Sequence, residues 1–158
     1  MNINNTTTFI GHRDCVGIDE SALKTEIEKL IRLGVTEFLN GGMGKFDLMC
    51  ARIVHELKKQ YSHIKNYLVV PYLSFGILKD DVIINREFFD CIIYPEGFEK
   101  YHFKAAIIAR NKYLVDNSSY AICYITNEFH KNGAAATYKR AIKNGLTVIN
   151  LGKYHAEK

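Results

Sequence analysis

Short apolar runs alternate with helix-forming segments along nearly the whole chain, and this alternation limits the possible folds more than any single motif. The apolar runs predict strands at Thr6–Ile10, Thr36–Leu39, Tyr67–Val70, Cys91–Tyr94, Ala121–Ile125 and Thr147–Leu151. Apolar residues at helical spacing predict helices between Asp19 and Gly34 and at Phe46–Lys59, Val82–Phe89, Phe103–Val115 and Ala134–Lys143. Near-continuous apolar strands that alternate with amphipathic helices indicate a parallel sheet with helices on both faces.

The length and composition of the chain fit one domain. A chain of 158 residues with 47% hydrophobic content can bury a substantial core, but it is too short for two ordinary domains. We therefore predict that residues 1–158 form a single doubly wound α/β domain, with a mainly parallel sheet flanked by helices. The polar segment Met1–Thr8 does not resemble a signal peptide, and no apolar stretch approaches the roughly 20 residues of a membrane span. We expect a cytoplasmic protein.

A glycine-rich segment joins the second predicted strand to the helix that follows it. Its sequence is Asn40-Gly41-Gly42-Met43-Gly44-Lys45-Phe46-Asp47. Glycine has no side chain to block a close approach to the backbone, and the first amides of a helix carry the positive end of its dipole. A turn of this kind can bind a phosphate through its N–H groups. The spacing matches neither GxGxxG nor the P-loop, so the segment also fits a plain tight turn.

Two other loops that follow strands are unusual. Gly11-His12-Arg13-Asp14 follows the first strand, and Gly133-Ala134-Ala135-Ala136-Thr137 ends the loop after the fifth. Ligands of parallel α/β sheets bind at the carboxyl ends of the strands. Small residues leave backbone donors accessible there, and the guanidinium group of Arg13 suits a phosphate. We predict that the three loops meet in one pocket for a nucleotide-like anion.

An arginine lies on the apolar face of a predicted helix. Arg110 shares that face with Phe103, Ile107 and Leu114. Such an arginine must reach solvent, pair with a buried acid or face a polar cleft. Asp47 and Asp116 are possible partners, and a ligand phosphate is another, so the sequence leaves these alternatives open.

Four motifs, in order along the chain, resemble one family. They are Phe9–Arg13, Asn40–Asp47, Arg110–Asp116 and Gly133–Thr137, the last followed by Ala141 and Gly145. Together they are similar to the motifs of the YpsA-like branch of the SLOG superfamily, and they cover nearly the whole chain.

The resemblance implies a Rossmann-like domain that binds a nucleotide-derived small molecule at its strand-end loops. Ligands similar to NAD, ADP-ribose or a nucleoside phosphate are implied, bound for sensing or sequestration, and no other cofactor is assigned. The motifs and their loops assign ligand binding to Gly11, His12, Arg13, Gly41, Gly42, Gly44, Asp47, Arg110, Asn111, Gly133, Ala134, Ala135 and Thr137.

A hydrolase or transferase acting on the N-glycosidic bond of a nucleotide is the alternative. The related LOG enzymes hydrolyse that bond with a PGGxGTxxE motif, whereas residues 132–140 here read NGAAATYKR and contain neither its proline nor its glutamate. A carboxylate beside the ribose stabilises an oxocarbenium-like transition state. Asp47 is the candidate catalytic residue, and its other interpretation is an acid that complements the helix dipole.

Charge and residue spacing narrow the possible partners. The formal net charge of +4 is dispersed along the chain, which argues against a nucleic-acid partner and favours an anionic small molecule. A single-stranded DNA contact like that of DprA-type relatives, through Lys139, Arg140 and Lys143, stays as an alternative. Apolar helix residues also fit a homodimer interface. The histidines and cysteines lack the spacing of metal ligands, so we predict no metal site.

Overall fold

A computed structural model of the chain describes residues 1–12, 15–75, 85–126 and 133–152. The strands are β1 (Thr6–Gly11), β2 (Glu37–Asn40), β3 (Lys65–Val69), β4 (Cys91–Ile93), β5 (Tyr120–Tyr124) and β6 (Thr147–Asn150). The α-helices are α1 (Glu20–Arg32), α2 (Lys45–Leu57), α3 (Phe103–Asp116) and α4 (Gly133–Lys143). The predicted elements therefore form close to their expected bounds. Of the helix predicted at Val82–Phe89, residues 82–84 lie outside the described residues, and the remainder forms only a short 3₁₀ helix at Arg86–Phe88.

The strands form one six-stranded sheet in the order β4-β3-β2-β1-β5-β6. Every pairing in it is parallel; Thr8 of β1, for example, lies between Leu39 of β2 and Ala121 of β5. The chain builds outward from β1 to the β4 edge, then crosses through α3 to add β5 on the other side of β1. The predicted α/β architecture with a doubly wound parallel sheet is confirmed.

Helices cover both faces of the sheet because side chains of neighbouring strand residues point to opposite sides. Phe9 packs in a cluster with Leu23 of α1 and Cys50 of α2. The next residue, Ile10, packs in a different cluster with Val115 of α3 and other residues of the α3 and α4 face. All of Thr6–Ile10 is buried, which places β1 at the centre of the fold.

Local signals set the ends of the helices. The Asp19 carboxylate accepts a hydrogen bond from the N–H of Ala22 at 3.1 Å and caps α1, as its position predicts. Helix α2 begins after Gly44, with no side-chain cap on its first amides. None of the helices in the described ranges is long and apolar enough to cross a membrane.

Candidate functional site

A cleft of about 560 Å³ opens at the carboxyl ends of the central strands. It lies where β1 separates β2 from β5, the point at which the strand order reverses. The residues that line it come from all three predicted loops and from α3: Phe9, Ile10, Gly11, His12, Gly41, Met43, Asp47, Arg110, Asn111, Leu114, Thr126, Gly133, Ala134 and Thr137. Its volume is in the range of small-molecule sites.

The glycine turn between β2 and α2 is held by two side chains. The Asn40 side-chain oxygen accepts a hydrogen bond from the N–H of Gly42 at 2.7 Å, and its nitrogen donates to the carbonyl of Asp47 at 2.7 Å. The Asp47 carboxylate accepts from the N–H of Met43 at 2.9 Å. Gly42 has a φ of 68° and Gly44 a φ of 111°, which residues with a side chain rarely adopt. The amides of Gly42 and Met43 are therefore engaged within the turn.

Two other glycines in the cleft allow close packing. A Cβ atom on Gly11 would lie 2.3 Å from the Phe46 ring, so β1 can approach α2 only with glycine at this position. A Cβ atom on Gly41 would lie 3.2 Å from the guanidinium carbon of Arg110. Both glycines thus shape the cleft by leaving room for neighbouring side chains.

Arg110 crosses from α3 to the ends of two strands. Its side chain is only 1% exposed, and Nη1 donates to the carbonyls of Gly41 at 2.5 Å and Val69 at 3.1 Å. The guanidinium also lies 5.5 Å from the centre of the Phe75 ring. Of the predicted partners, Asp116 pairs instead with Arg140. Arg110 therefore ties α3 to the sheet and adds positive charge at the cleft.

Asp47 places a carboxylate in the wall of the cleft. It is 7% exposed, and burial raises its pKa from 3.8 to about 6, against the lowering effects of the Met43 N–H and of the Arg110 charge. A buried carboxylate with a pKa near neutrality is typical of functional sites.

The first turn of α4 forms the opposite wall with Asn111. The Asn111 side-chain oxygen accepts from Nε of Arg110 at 3.0 Å, because an arginine can only donate. Its nitrogen therefore faces the other way and lies 3.5 Å from the Cβ position of Gly133. The Thr137 hydroxyl donates its hydrogen bond to the Gly133 carbonyl of the same helix at 2.6 Å, so its proton is already engaged. This wall includes the Asn111 side-chain nitrogen, which is a donor, and α4 has no acid in its first turn.

Most of the predicted site residues therefore line one cleft. Gly42, Gly44 and Ala135 do not line it, and Arg13 lies outside the described residues. His12 does line it, and its Nε2 accepts from the N–H of Thr126 at 3.4 Å. Within residues 1–12, 15–75, 85–126 and 133–152, no cluster of three or more acidic, histidine or cysteine side chains is placed to hold a metal ion.

Asn40 supports the cleft through the glycine turn, although the sequence analysis gave its side chain no role. Both ends of its buried side chain hold the glycine turn. Its position directly before two glycines was the available signal, because a short amide side chain there can bond the backbone two residues on.

Comparison with known proteins supports the predicted family and fold. The YpsA family, described as the YspA SLOG family, matches residues 8–147. No curated protein sequence matches the chain. Similar solved structures include DNA processing protein A from Helicobacter pylori, described by its single-stranded DNA binding mode, and DprA from Streptococcus pneumoniae.

Both structures are distant in sequence and longer than this chain. The Helicobacter protein has a TM-score of 0.65 and 18% identity, over 92% of this chain and 64% of that one. The Streptococcus protein has a TM-score of 0.59 and 16% identity, over 93% of this chain and 50% of that one. This chain thus spans less than two thirds of either.

The DprA neighbours correct one prediction. The dispersed charge argued against a nucleic-acid partner, and that prediction was wrong, because a similar fold belongs to a protein described by its single-stranded DNA binding mode. Dispersal of charge along a sequence does not show which charged side chains the fold places on neighbouring elements. Exposed lysines lie on neighbouring helices α3 and α4, at Lys104, Lys112, Lys139 and Lys143.

The family match covers far more than half of the sequence and includes all four motifs in their chain order. The chain therefore belongs to the YpsA family, a SLOG family.

Proposed function

We propose that this protein binds a nucleotide-type small molecule in the cleft, with a phosphate at the first turn of α4. The observation that carries the proposal is the pairing of a donor wall, formed by α4 and Asn111, with an acceptor wall at Asp47. A nucleotide has the complementary parts, an anionic phosphate and a sugar and base that donate hydrogen bonds.

The donor wall suits a phosphate better than the glycine turn does. The amides of Gly42 and Met43 already bond to side chains, and the Asp47 carboxylate beside them would repel a second anion. At α4, Gly133 and Ala134 are the first two helical residues and line the cleft, and the amides at the start of a helix have no acceptor within it. The helix dipole and the nearby Asn111 nitrogen favour an anion there.

Placing an acid on this wall is expected to block the ligand, while the helix dipole offsets part of the cost of a polar group beside the apolar cluster that Ala134 contacts. In Ala134→Asp the new carboxylate faces the cleft, so we expect the affinity for AMP or ADP-ribose to fall more than about tenfold through charge repulsion. An acid in the first turn of a helix stabilises it slightly, by about 0.3 to 1 kcal/mol. Titration calorimetry and thermal unfolding measure the two effects.

The matched control is Ala136→Asp, which adds the same charge to the same helical turn on an exposed position that does not line the cleft. We expect its affinity to stay within about twofold of the unmodified protein, because solvent screens the charge. Ala134→Asn adds a side chain of similar size without the charge, so comparing its affinity with that of Ala134→Asp separates the effect of charge from the effect of size. Equal losses in both aspartate variants would contradict a phosphate site at Ala134.

A panel of NAD, ADP-ribose, nucleoside monophosphates and cyclic nucleotides tests the ligand class. Binding to the native state raises the apparent melting temperature, and chromatography of the mixtures shows any products. Saturable stabilisation without products supports a binding module. Release of free base or ribose phosphate would instead support the alternative function, hydrolysis of the N-glycosidic bond. Asp47 would then be the first residue to test for a catalytic role. No stabilisation by any of these compounds would overturn the proposed ligand class.

Single-stranded nucleic acid is a second candidate ligand, favoured by the exposed lysines of α3 and α4. The acid within these two described helices is Asp116, which Arg140 neutralises with bonds of 3.0 and 2.8 Å. The outer surface of the helix pair is therefore basic. A surface of this charge attracts a phosphodiester backbone.

The salt dependence of oligonucleotide binding tests this second candidate. If Lys139 and Lys143 each contact a phosphate, replacing both by alanine is expected to lower the slope of log Kd against log salt by about 1.4. The control removes two exposed lysines elsewhere, Lys24 on α1 and Lys59 after α2. Fluorescence anisotropy with labelled oligo(dT) gives both slopes. Absent binding, or an equal change in the control, would exclude this surface.

A further inference from the structure

One oxygen of the buried Asp47 carboxylate is available to a ligand. Oδ2 accepts the N–H of Met43 at 2.9 Å, whereas Oδ1 has no hydrogen-bond partner among the residues that the structure describes. Asp47 is more than nine-tenths buried and lines the cleft. Oδ1 is not among the buried side-chain atoms without a partner, so it is open to the cleft, and a ligand that fills the cleft would cover it. A polar atom that a ligand covers costs free energy unless the ligand satisfies it. The vacant side of this carboxylate therefore calls for a hydrogen-bond donor from the ligand.

The chemistry of a nucleotide restricts which of its groups can meet Oδ1. An ionised phosphate has no proton to donate at neutral pH and would be repelled by the carboxylate. The sugar is the part of the ligand joined directly to the phosphate, and its hydroxyl groups donate. With the phosphate at the α4 wall, the sugar is the next group to cross the cleft toward α2.

We propose that Asp47 selects ribonucleotides over deoxyribonucleotides by accepting a hydrogen bond from a ribose hydroxyl group. This inference rests on the proposed nucleotide site and specifies the sugar of its ligand. A carboxylate that accepts a hydrogen bond from a ribose hydroxyl discriminates against an analogue without that hydroxyl. When the analogue binds, it covers the carboxylate oxygen and leaves it without a hydrogen-bond donor. The positioning of Asp47 by Met43 and Asn40 keeps that oxygen fixed in the wall.

Binding of AMP, 2′-deoxy-AMP and 3′-deoxy-AMP to the same protein tests the proposal. We expect AMP to bind about tenfold or more tightly than at least one deoxy form, the size expected for one hydrogen bond to a charged group. In Asp47→Asn the remaining oxygen can still accept the Met43 N–H, while the Oδ1 acceptor becomes an amide donor. The variant is therefore expected to fold and to lose the preference, with AMP and the deoxy form within about threefold of each other.

The control is Asp116→Asn, the same change on α3 at a carboxylate that bonds Arg140 and does not line the cleft. It is expected to keep the full preference for AMP. Equal binding of all three nucleotides to the unmodified protein would overturn the sugar assignment and leave the nucleotide site standing. A preference that survives in Asp47→Asn would overturn the role of Asp47. If neither AMP nor any other nucleotide of the panel bound at millimolar concentration, the nucleotide site itself would be overturned, and the sugar assignment with it.

Discussion

Replacing Arg110 by methionine is expected to lower the free energy of unfolding by about 3 to 5 kcal/mol. Methionine fills similar space but cannot donate to the carbonyls of Gly41 and Val69, which Nη1 now bonds at 2.5 and 3.1 Å. The variant also removes the positive charge of Arg110, which favours the ionised form of Asp47. Several buried polar groups thus lose their partner in one substitution. Denaturant unfolding followed by circular dichroism measures the loss.

Two variants locate the origin of that loss. Arg110→Lys keeps the charge but has a compact ammonium group in place of the planar fork, so we expect an intermediate loss. Lys112→Met makes the matched change two residues away on the exposed side of α3, where we expect a change within about 0.5 kcal/mol. If Arg110→Met were as stable as Lys112→Met, the guanidinium would not hold α3 to the strand ends.

The order and type of the main elements could be predicted because each depends on local pattern. The β-branched run of β1 and the helical spacing of apolar residues in α2 are properties of adjacent residues. The position of the cleft also followed from the sequence, because parallel sheets place their ligands at the carboxyl ends of strands. Small residues in those loops marked the segments that meet there.

The bonding within the cleft could not be predicted because it joins residues that are distant in the chain. The carbonyls that Arg110 bonds lie 69 and 41 residues away in sequence, and backbone carbonyls carry no residue signature. The apolar stripe of α3 suggested that Phe103 would be buried with Leu114. Phe103 is instead 58% exposed, at the first turn of the helix, where its ring packs on Tyr72.

The glycine turn shows how a correct motif can mislead about its chemistry. Its glycines predicted amides open to a phosphate, yet the side chains of Asn40 and Asp47 bond the amides of Gly42 and Met43. The amides that a turn leaves open to a ligand depend on which side chains bond back to the turn. The spacing of the glycines does not show which side chains do so. The turn therefore holds Asp47 in place, and the donors that suit an anion are those of the α4 wall.

Replacing Asp47 by asparagine is expected to stabilise the protein by up to about 3 kcal/mol at neutral pH. The pKa of Asp47 rises from 3.8 to about 6 on folding because burial disfavours the charged form. Each pKa unit corresponds to about 1.4 kcal/mol, so holding the ionised group in the cleft costs about that amount. Asparagine keeps an acceptor for the Met43 N–H and carries no charge.

The stabilisation by Asp47→Asn should increase as the pH rises. Since the folded chain binds the Asp47 proton more tightly than the unfolded chain, this group's stabilisation is complete below about pH 3.8 and is lost as the pH rises through about 6. The difference between Asp47→Asn and the unmodified protein should therefore approach zero near pH 4 and reach its full size above pH 7. Desolvation raises the pKa of Asp90, but the bonds from Lys58 and Asn66 and the charges of Lys58 and Lys65 together lower it below its ordinary value. Asp90 therefore has the opposite pH dependence, which both proteins share.

Denaturant unfolding of both proteins across this pH range measures the difference. Asp116→Asn is the control, because its exposed carboxylate bonds Arg140 and its removal should give no comparable gain at any pH. A difference that stays constant between pH 4 and pH 7 would contradict the raised pKa of Asp47 and its cause. We expect Asp47→Asn to have a higher free energy of unfolding than the unmodified protein only as the pH rises, and to bind AMP more weakly. Together these results would mean that the charged Asp47 carboxylate lowers stability but serves ligand binding, a trade-off that is common in binding sites.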